Sequence, residues 1–338
     1  MEPTTTTRKP GKKILVIGEL GYHEHTVVRP ILEQLKQLGA TINRSPGTMD
    51  FFIKENFPTM IRNWTRAPLG TDLRFYDVVF FVDYWNMAFP LFQYKKMTEN
   101  PSIKFVGLCH GTVRLPLDVA TLVPTAVAYE EYLKSSFDTI LVHAQWLREL
   151  MQGPFTSSLH VARLPVDLHA SRIRPTLLPN NRVIYAHRFE PDKGCQAFLS
   201  FVYKCRKSED PYINGTRFFV TANDQEDFRE LGIIPTGWLT QEELKKLCAP
   251  GGYAWSSVNS ELAGYAISDL CSYGLTPLLN HHKAYDPYPD KFKYTNFEEA
   301  KKIIKDKVTM SNTEWDKMLE PMLSNSRRIA EVINGSIS

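Results

Sequence analysis

The sequence predicts an α/β protein built from two doubly wound domains in tandem, and three observations lead there. Short apolar runs rich in Val, Ile and Phe alternate with stretches of helical period through the first half. The same alternation begins afresh in the second half. Between them Pro175 and Pro179, with Asn180 and Asn181, have the composition of a linker. At 338 residues the chain is long for one hydrophobic core and comfortable for two.

KKILVIG (12–18) is an apolar strand ending in glycine. From Thr26 to Leu38, Val27, Ile31, Leu35 and Leu38 recur at helical spacing until Gly39 stops the helix, and ATINR (40–44) returns to strand. YDVVFFVD (76–83), IKFVGLCH (103–110) and FDTILVHA (137–144) are apolar on both faces, as a parallel sheet covered by helices requires. In the second half RVIYAHR (182–188), TRFFVTA (216–222), GGYAWSSV (251–258) and LTPLLN (275–280) are strands. They interleave with helices expected over Gln196 to Lys207, Gln241 to Leu247 and Leu262 to Tyr273. The organisation that follows is a disordered tail (1–12), a first domain (13–175), a second domain (176–325) and a C-terminal helix (326–338) placed to pack back on the first. Two such domains hold a ligand in the cleft where they face each other. No short-period repeat is present.

Composition narrows the function. Hydrophobic residues are 43% and charged residues 23%, a globular profile. Forty basic against 37 acidic side chains leave a net charge of +3, too mild to demand a nucleic-acid or membrane partner. No run approaches the ~18 apolar residues of a membrane span. The polar, basic segment up to Lys13 has no apolar h-region, so it is not read as a secretory signal. Five scattered cysteines (109, 195, 205, 248 and 271) show no CxxC spacing, which argues against a disulfide framework or structural zinc and fits the cytoplasm. Asn-x-Ser/Thr triplets at Asn63, Asn214 and Asn334 are expected to be chance. Neither His23 and His25 nor the pair His281 and His282 has two further ligands nearby, so no metal site is expected.

A dinucleotide cofactor is disfavoured on two counts. The first strand ends GELGYHEH, with Gly18 and Gly21 but no GxGxxG, and the second strand ends Asn43-Arg44 where an acid would take ribose hydroxyls. Gly18 and Gly21 fit either a tight strand-to-helix turn or a close backbone approach to an anion or sugar.

Two segments of the second half carry sharper chemistry. Arg188-Phe-Glu-Pro-Asp-Lys193-Gly194 directly follows a strand; its two cations are either solvated surface groups or a clamp on a diphosphate, Arg as a planar fork and Lys as a point charge. Glu261-Leu-Ala-Gly264-Tyr265-Ala-Ile-Ser-Asp269 follows the strand at 251–258. Ala263, Ala266, Ile267 and Leu270 form an apolar stripe, and Asn259 or Ser260 can cap the helix. As one helix, that segment sets the two carboxylates roughly 12 Å apart, one near a sugar ring and one near a ribose, with a diphosphate at the helix N-terminus between them. Taken singly, each carboxylate also reads as an ordinary helix-start Glu or exposed Asp.

Together and in this order the segments resemble the retaining GT-B glycosyltransferases, the large group that includes glycogen synthase-like and lipopolysaccharide-type enzymes. The shared pattern is an Arg and a Lys in a segment like RFEPDKG, then an acid, seven residues and a second acid, with Gly274 and Pro277 in frame beyond it. RLPVDLHASRIRP (163–175), with Asp167, resembles the interdomain segment, and the similarity runs from about residue 100 onward. One departure is Asp269, where the family usually has Glu.

The resemblance implies two Rossmann-like domains, a nucleotide-diphosphate sugar as co-substrate, no cofactor and no metal. It assigns the diphosphate to Arg188 and Lys193, the transferred sugar to Glu261, backbone contacts to Gly264 and Tyr265, and the ribose to Asp269. The base falls near Thr221 to Asn223 and Gly237-Trp238-Leu239. His110 looks like the histidine such enzymes place beside the reacting sugar, and equally like a core histidine bonded to backbone; His143 and His187 are expected to be structural. Preorganised cations would stabilise the departing diphosphate, and the implied outcome is retention of configuration.

The acceptor is less legible. Phe51, Phe52, Phe57 and Trp64 interleave with Lys54, Arg62 and Arg66, and Trp64, Arg62 and Arg66 are the candidate acceptor contacts. Pro58 argues against a membrane-lying helix there. A saccharide or small molecule is one acceptor class; a hydroxymethylated base in DNA, as some phage glycosyltransferases of this architecture use, is another, which strong salt dependence would mark. Nucleotide-sugar 2-epimerases share the fold, and a non-catalytic sugar-nucleotide binder is a further alternative. Oligomeric state is not encoded legibly.

Overall fold

The computed structural model describes residues 11–18, 28–45, 70–86, 88–116, 121, 125–162, 179–262, 264–323 and 325–335. They fall into two compact units. The first is drawn from Met1–Thr112, Val123–Pro165 and Ser324–Ser338, the second from Val113–Leu122 and Val166–Leu323.

The first unit contains β1 (Lys13–Ile17), β2 (Thr41–Ser45), β3 (Val78–Phe81), β4 (Lys104–Leu108), β5 (Thr139–Val142) and β6 (Leu159–Val161). They form one sheet in the order β2-β1-β3-β4-β5-β6, with every pairing parallel. All four residues of β3 are buried, the two-sided burial that its unbroken apolar run implies. Helices Arg29–Gln37, Phe89–Glu99, Ala126–Ser136 and Gln145–Leu150 join the strands. Phe81 meets the rings of Phe89, Phe92, Phe105 and Phe137 edge-on at 5.2 to 5.6 Å. Each such pair adds about 0.5–1.5 kcal/mol beyond area burial. Helix Asn325–Ile333 packs on Arg29–Gln37. Ile329, Ala330 and Ile333 are buried on one helix, and Ile31, Leu32 and Leu35 on the other.

The second unit holds β7 (Arg182–Tyr185), β8 (Arg217–Val220), β9 (Ile233–Pro235), β10 (Tyr253–Ser256), β11 (Thr276–Asn280) and β12 (Lys293–Tyr294). Its sheet runs β12-β11-β10-β7-β8-β9, again parallel throughout. Trp255 of β10 lies 5.7 Å from Tyr185 of β7 and 5.1 Å from Phe198 of helix Cys195–Arg206. Helix Gln241–Cys248 starts with a capping box, the Thr240 side chain accepting from the Glu243 N–H while Glu243 accepts from the Thr240 N–H.

Strand order positions the site. The chain leaves β7 toward β8 and β9, returns to β10 beside β7, then proceeds to β11 and β12. The loops after β7 and β10 therefore diverge at the C-terminal edge of the sheet, the switch point at which doubly wound sheets bind ligands.

The segment expected to be helical from Leu262 differs. The helix is Tyr265–Ser272, because Gly264 takes the left-handed region at φ 65°, which ends helical geometry on its N-terminal side. Asn259 and Ser260 consequently cap nothing there. Glu261 precedes the helix, so the axial rise expected between Glu261 and Asp269 does not apply. Strands β6, β9 and β12 are two or three residues long, too short to show a period. No described helix is long and apolar enough to cross a membrane.

Candidate functional site

The site begins where β7 ends. Pro191–Lys193 forms a 3-10 turn, and Gly194 at φ 76° turns the chain into helix Cys195–Arg206. A Cβ at Gly194 would stand 2.0 Å from the Ser257 carbonyl, so only glycine lets this loop approach the one after β10. The two loops are joined by hydrogen bonds. The Asp192 carbonyl accepts from the N–H groups of Asn259 and Ser260 at 3.0 and 3.1 Å. Asn259 Nδ2 donates to the Pro191 carbonyl at 3.1 Å.

This seam sets Lys193 against Glu261. Lys193 Nζ donates to the Ser260 carbonyl at 2.9 Å and to Glu261 Oε2 at 3.2 Å. Asp192 Oδ2 is 3.5 Å from Lys193 Nζ and 3.3 Å from Arg188 Nη2, while Arg188 Nη1 reaches Glu190 Oε2 at 2.7 Å. Arg188 and Lys193 are thus gathered at one carboxylate. Lys193 is 17% exposed and Arg188 is 40% exposed; the Arg188 pairs, being more open, hold it weakly and leave it available.

Burial alone would raise the Glu261 carboxyl. The Lys193 ammonium, the nearby His187 and an N–H from Gly264 outweigh burial and bring it down to about 2. Glu261 Oε1 also accepts from the Leu262 N–H at 3.0 Å. Below this carboxylate the Gly264 turn rests on Tyr285, where a Cβ would lie 2.6 Å from the ring. Tyr285 Oη meets Ser256 Oγ at 2.6 Å, Tyr288 Oη meets Ser268 Oγ at 3.0 Å, and Asn280 Nδ2 donates to the Val258 carbonyl at 2.9 Å. The turn thereby fixes the start of helix Tyr265–Ser272, an end that presents N–H donors and positive polarisation. Asp269 lies half-buried within that helix.

The two segments expected around a base also meet. Thr236 N–H donates to the Val220 carbonyl at 2.9 Å, and Gly237 N–H to the Ala222 carbonyl at 3.1 Å. Gly237 is left-handed at φ 67°, and Trp238 beside it is 66% exposed.

In the first unit His110 follows β4, half-buried, with its ring 6.0 Å from that of His143. The adjacent Gly111 carbonyl accepts from Tyr84 Oη, Trp85 Nε1 and Cys109 Sγ at 3.2, 3.0 and 3.3 Å. Buried Glu130 accepts from Tyr84 Oη at 3.0 Å and Thr112 Oγ1 at 2.8 Å. Gly18 ends β1. Gly21, Arg62, Trp64, Arg66 and Asp167 lie outside the described residues.

Three residues at the site were not singled out from sequence for it. Asp192 joins the two cations, although its place four residues after Arg188 was a usable signal. Tyr285 supports Gly264 from a segment without periodicity. His187, expected to be structural, is 5% exposed and lies edge-on to Tyr185 at 5.6 Å. Burial lowers its imidazole to about 4; Lys193 and Arg188 push the same way, while Glu261 and Asp192 oppose. Among the described residues no group of three or more His, Cys, Asp or Glu is arranged to hold a metal ion.

No family model and no curated protein matches the chain by sequence. Solved structures match it by shape. The apo structure of OtsA is 9% identical with a TM-score of 0.67, covering 95% of this chain and 98% of that one. The apo lipopolysaccharide outer core galactosyltransferase WaaB is 13% identical at TM-score 0.66, with 96% and 99% covered. Sucrose-phosphate synthase from Thermosynechococcus elongatus is 11% identical at TM-score 0.65, with 95% and 94% covered. These are GT-B glycosyltransferases, and the chain has the GT-B fold over nearly its whole length. At such identities the likeness is one of fold, so the residues of the site stand on their own geometry.

Proposed function

We propose that the chain is a retaining, metal-independent glycosyltransferase that moves a sugar from a nucleotide-diphosphate donor, foremost a UDP-sugar, to an acceptor hydroxyl. One observation carries this reading. At the switch point of the second sheet, Arg188 and Lys193 converge on Asp192, and Lys193 bonds Glu261 just ahead of the glycine turn that opens helix Tyr265–Ser272. A ligand with adjacent negative and hydroxyl-bearing groups matches that set, the diphosphate taking the two cations and helix start, and the sugar facing Glu261. Trp238 and the Gly237 turn are suited to a base, and Asp269 to ribose hydroxyls.

In the reaction the bond from the sugar anomeric carbon to the diphosphate breaks, and the acceptor oxygen bonds that carbon on the same face. The acceptor proton passes to a phosphate oxygen. Negative charge grows on the diphosphate, where Arg188, Lys193 and the helix dipole stabilise it without reorganisation. Glu261, held anionic, complements the positive charge developing on the sugar. Support for retention comes from a structural neighbour, a trehalose-6-phosphate synthase studied for glycosyl transfer with retention. A related trehalose-phosphate synthase was solved with glucose-6-phosphate, which favours a sugar or sugar phosphate as acceptor here.

Calorimetry with UDP- and GDP-sugars tests the donor site. Lys193→Ala is expected to abolish binding, and Glu261→Ala to lower turnover more than donor affinity. Equal donor affinity in the wild type and Lys193→Ala would remove the assignment, and turnover separates a transferase from a non-catalytic binder. An acceptor panel at two salt concentrations separates sugars from DNA, whose affinity alone falls steeply with salt.

A further inference from the structure

Among the described residues of this region, His187 carries a ring nitrogen whose chemistry the fold leaves unused. It stands two residues beyond the end of β7, immediately before Arg188, on the loop that carries both cations. The side chain is 95% removed from solvent by its 5% exposure, and Nε2 is buried without a hydrogen-bond partner. A buried polar nitrogen left in that state costs about what a lost hydrogen bond costs, and a fold needing only bulk there would place an apolar side chain. Its surroundings are those of the proposed donor site: Glu261, Lys193, Asp192 and Arg188 all act on its charge. Tyr185, the ring it packs against, shares its one hydroxyl proton between the Arg188 and Lys193 carbonyls at 2.9 and 3.1 Å, so it has none to donate to His187.

We infer that His187 is a donor-site residue, whose Nε2 completes its hydrogen bonding on a phosphate or sugar oxygen of the ligand gripped by Arg188 and Lys193. The inference rests on the reading of this site given above. A neutral imidazole suits the place, since it can donate a directional hydrogen bond without adding a third cation between Lys193 and Glu261. The hydrogen bond that Nε2 does not make within the protein is then one that a ligand can supply, at the cost in stability that functional sites commonly carry.

The test compares His187→Leu, which removes the nitrogen at similar bulk, with His187→Gln, whose amide reaches the Nε2 position. Each is measured by thermal melting and by calorimetry with UDP, with GDP and ADP alongside. Expected are a melting temperature equal to or above the wild type for His187→Leu, with UDP affinity down tenfold or more, and affinity largely restored in His187→Gln. An unchanged UDP affinity in His187→Leu overturns the inference, as does a parallel loss of melting temperature and affinity in both variants, which marks a packing role. Lys193→Ala distinguishes the two levels. If it loses UDP while His187→Leu keeps it, only the role of His187 fails; if the wild type binds no nucleoside diphosphate, the donor-site reading fails and takes this inference with it.

Discussion

Lys193 and Glu261 stand 68 positions apart in sequence, yet Nζ and Oε2 meet at 3.2 Å with both side chains largely buried. Removing Lys193 strands the Glu261 carboxylate, whereas removing Glu261 leaves Lys193 with Asp192 at 3.5 Å as its remaining partner.

The pair therefore predicts strong non-additivity. Lys193→Met and Glu261→Gln should each destabilise the protein by about 1–3 kcal/mol, discounted from deeper pairs because both groups keep some solvent contact. The double variant should lose less than the sum of the singles. Denaturant unfolding of the four proteins measures this, and strict additivity would show the contact to be unimportant.

Acidification should act in two legs. His187 is lowered from 6.5 to about 4 in the folded protein. The unfolded chain thus binds a proton first, and stability falls as pH drops from 6.5 toward 4. Glu261 is lowered from 4.5 to about 2; its contribution is complete above 4.5 and is lost as pH falls toward 2. The two legs are coupled, since each group is among the charges that shift the other. Melting curves across pH should show His187→Gln flattening the upper leg and Glu261→Gln the lower.

Tyr285 and Ser256 are fully buried and share a 2.6 Å hydroxyl contact beneath the Gly264 turn. Tyr285→Phe or Ser256→Ala should each cost about 1–3 kcal/mol by leaving one hydroxyl unpaired. Removing both should cost little more than one. Chemical denaturation decides between this and two independent losses.

Gly264→Ala should impair the site more than the fold. The new methyl would press on Tyr285 at 2.6 Å, and φ 65° disfavours alanine by about 1 kcal/mol or more. The helix start shifts, and UDP affinity in calorimetry should fall by tenfold or more. Wild-type affinity with a normal melting temperature would show that the turn does not shape the ligand site.

Much of the architecture was legible because buried parallel strands advertise themselves. Val78–Phe81 and Phe105–Leu108 are unbroken apolar runs, and the sheet follows from them. The cationic segment at 188–193 and the acid at 261 were also visible, since they sit at strand ends where a switch point can use them. What sequence could not give was distance. The zipper of Asp192 with Asn259 and Ser260 is a backbone matter that any residues could make, and Tyr285 reaches Gly264 from a 3-10 turn, Lys283–Tyr285, too short to show a period. The start of the last site helix was misplaced for a related reason: Ala-Gly-Tyr-Ala reads as helix by its apolar spacing, and only the left-handed turn at Gly264 delays it.

The packing of Asn325–Ile333 against Arg29–Gln37 has a consequence for biogenesis. The first unit stays incomplete during synthesis until a segment lying downstream of the entire second unit has emerged. Chains cut after Leu323 should accordingly keep the second unit folded while uncovering Ile31, Leu32 and Leu35 of the first.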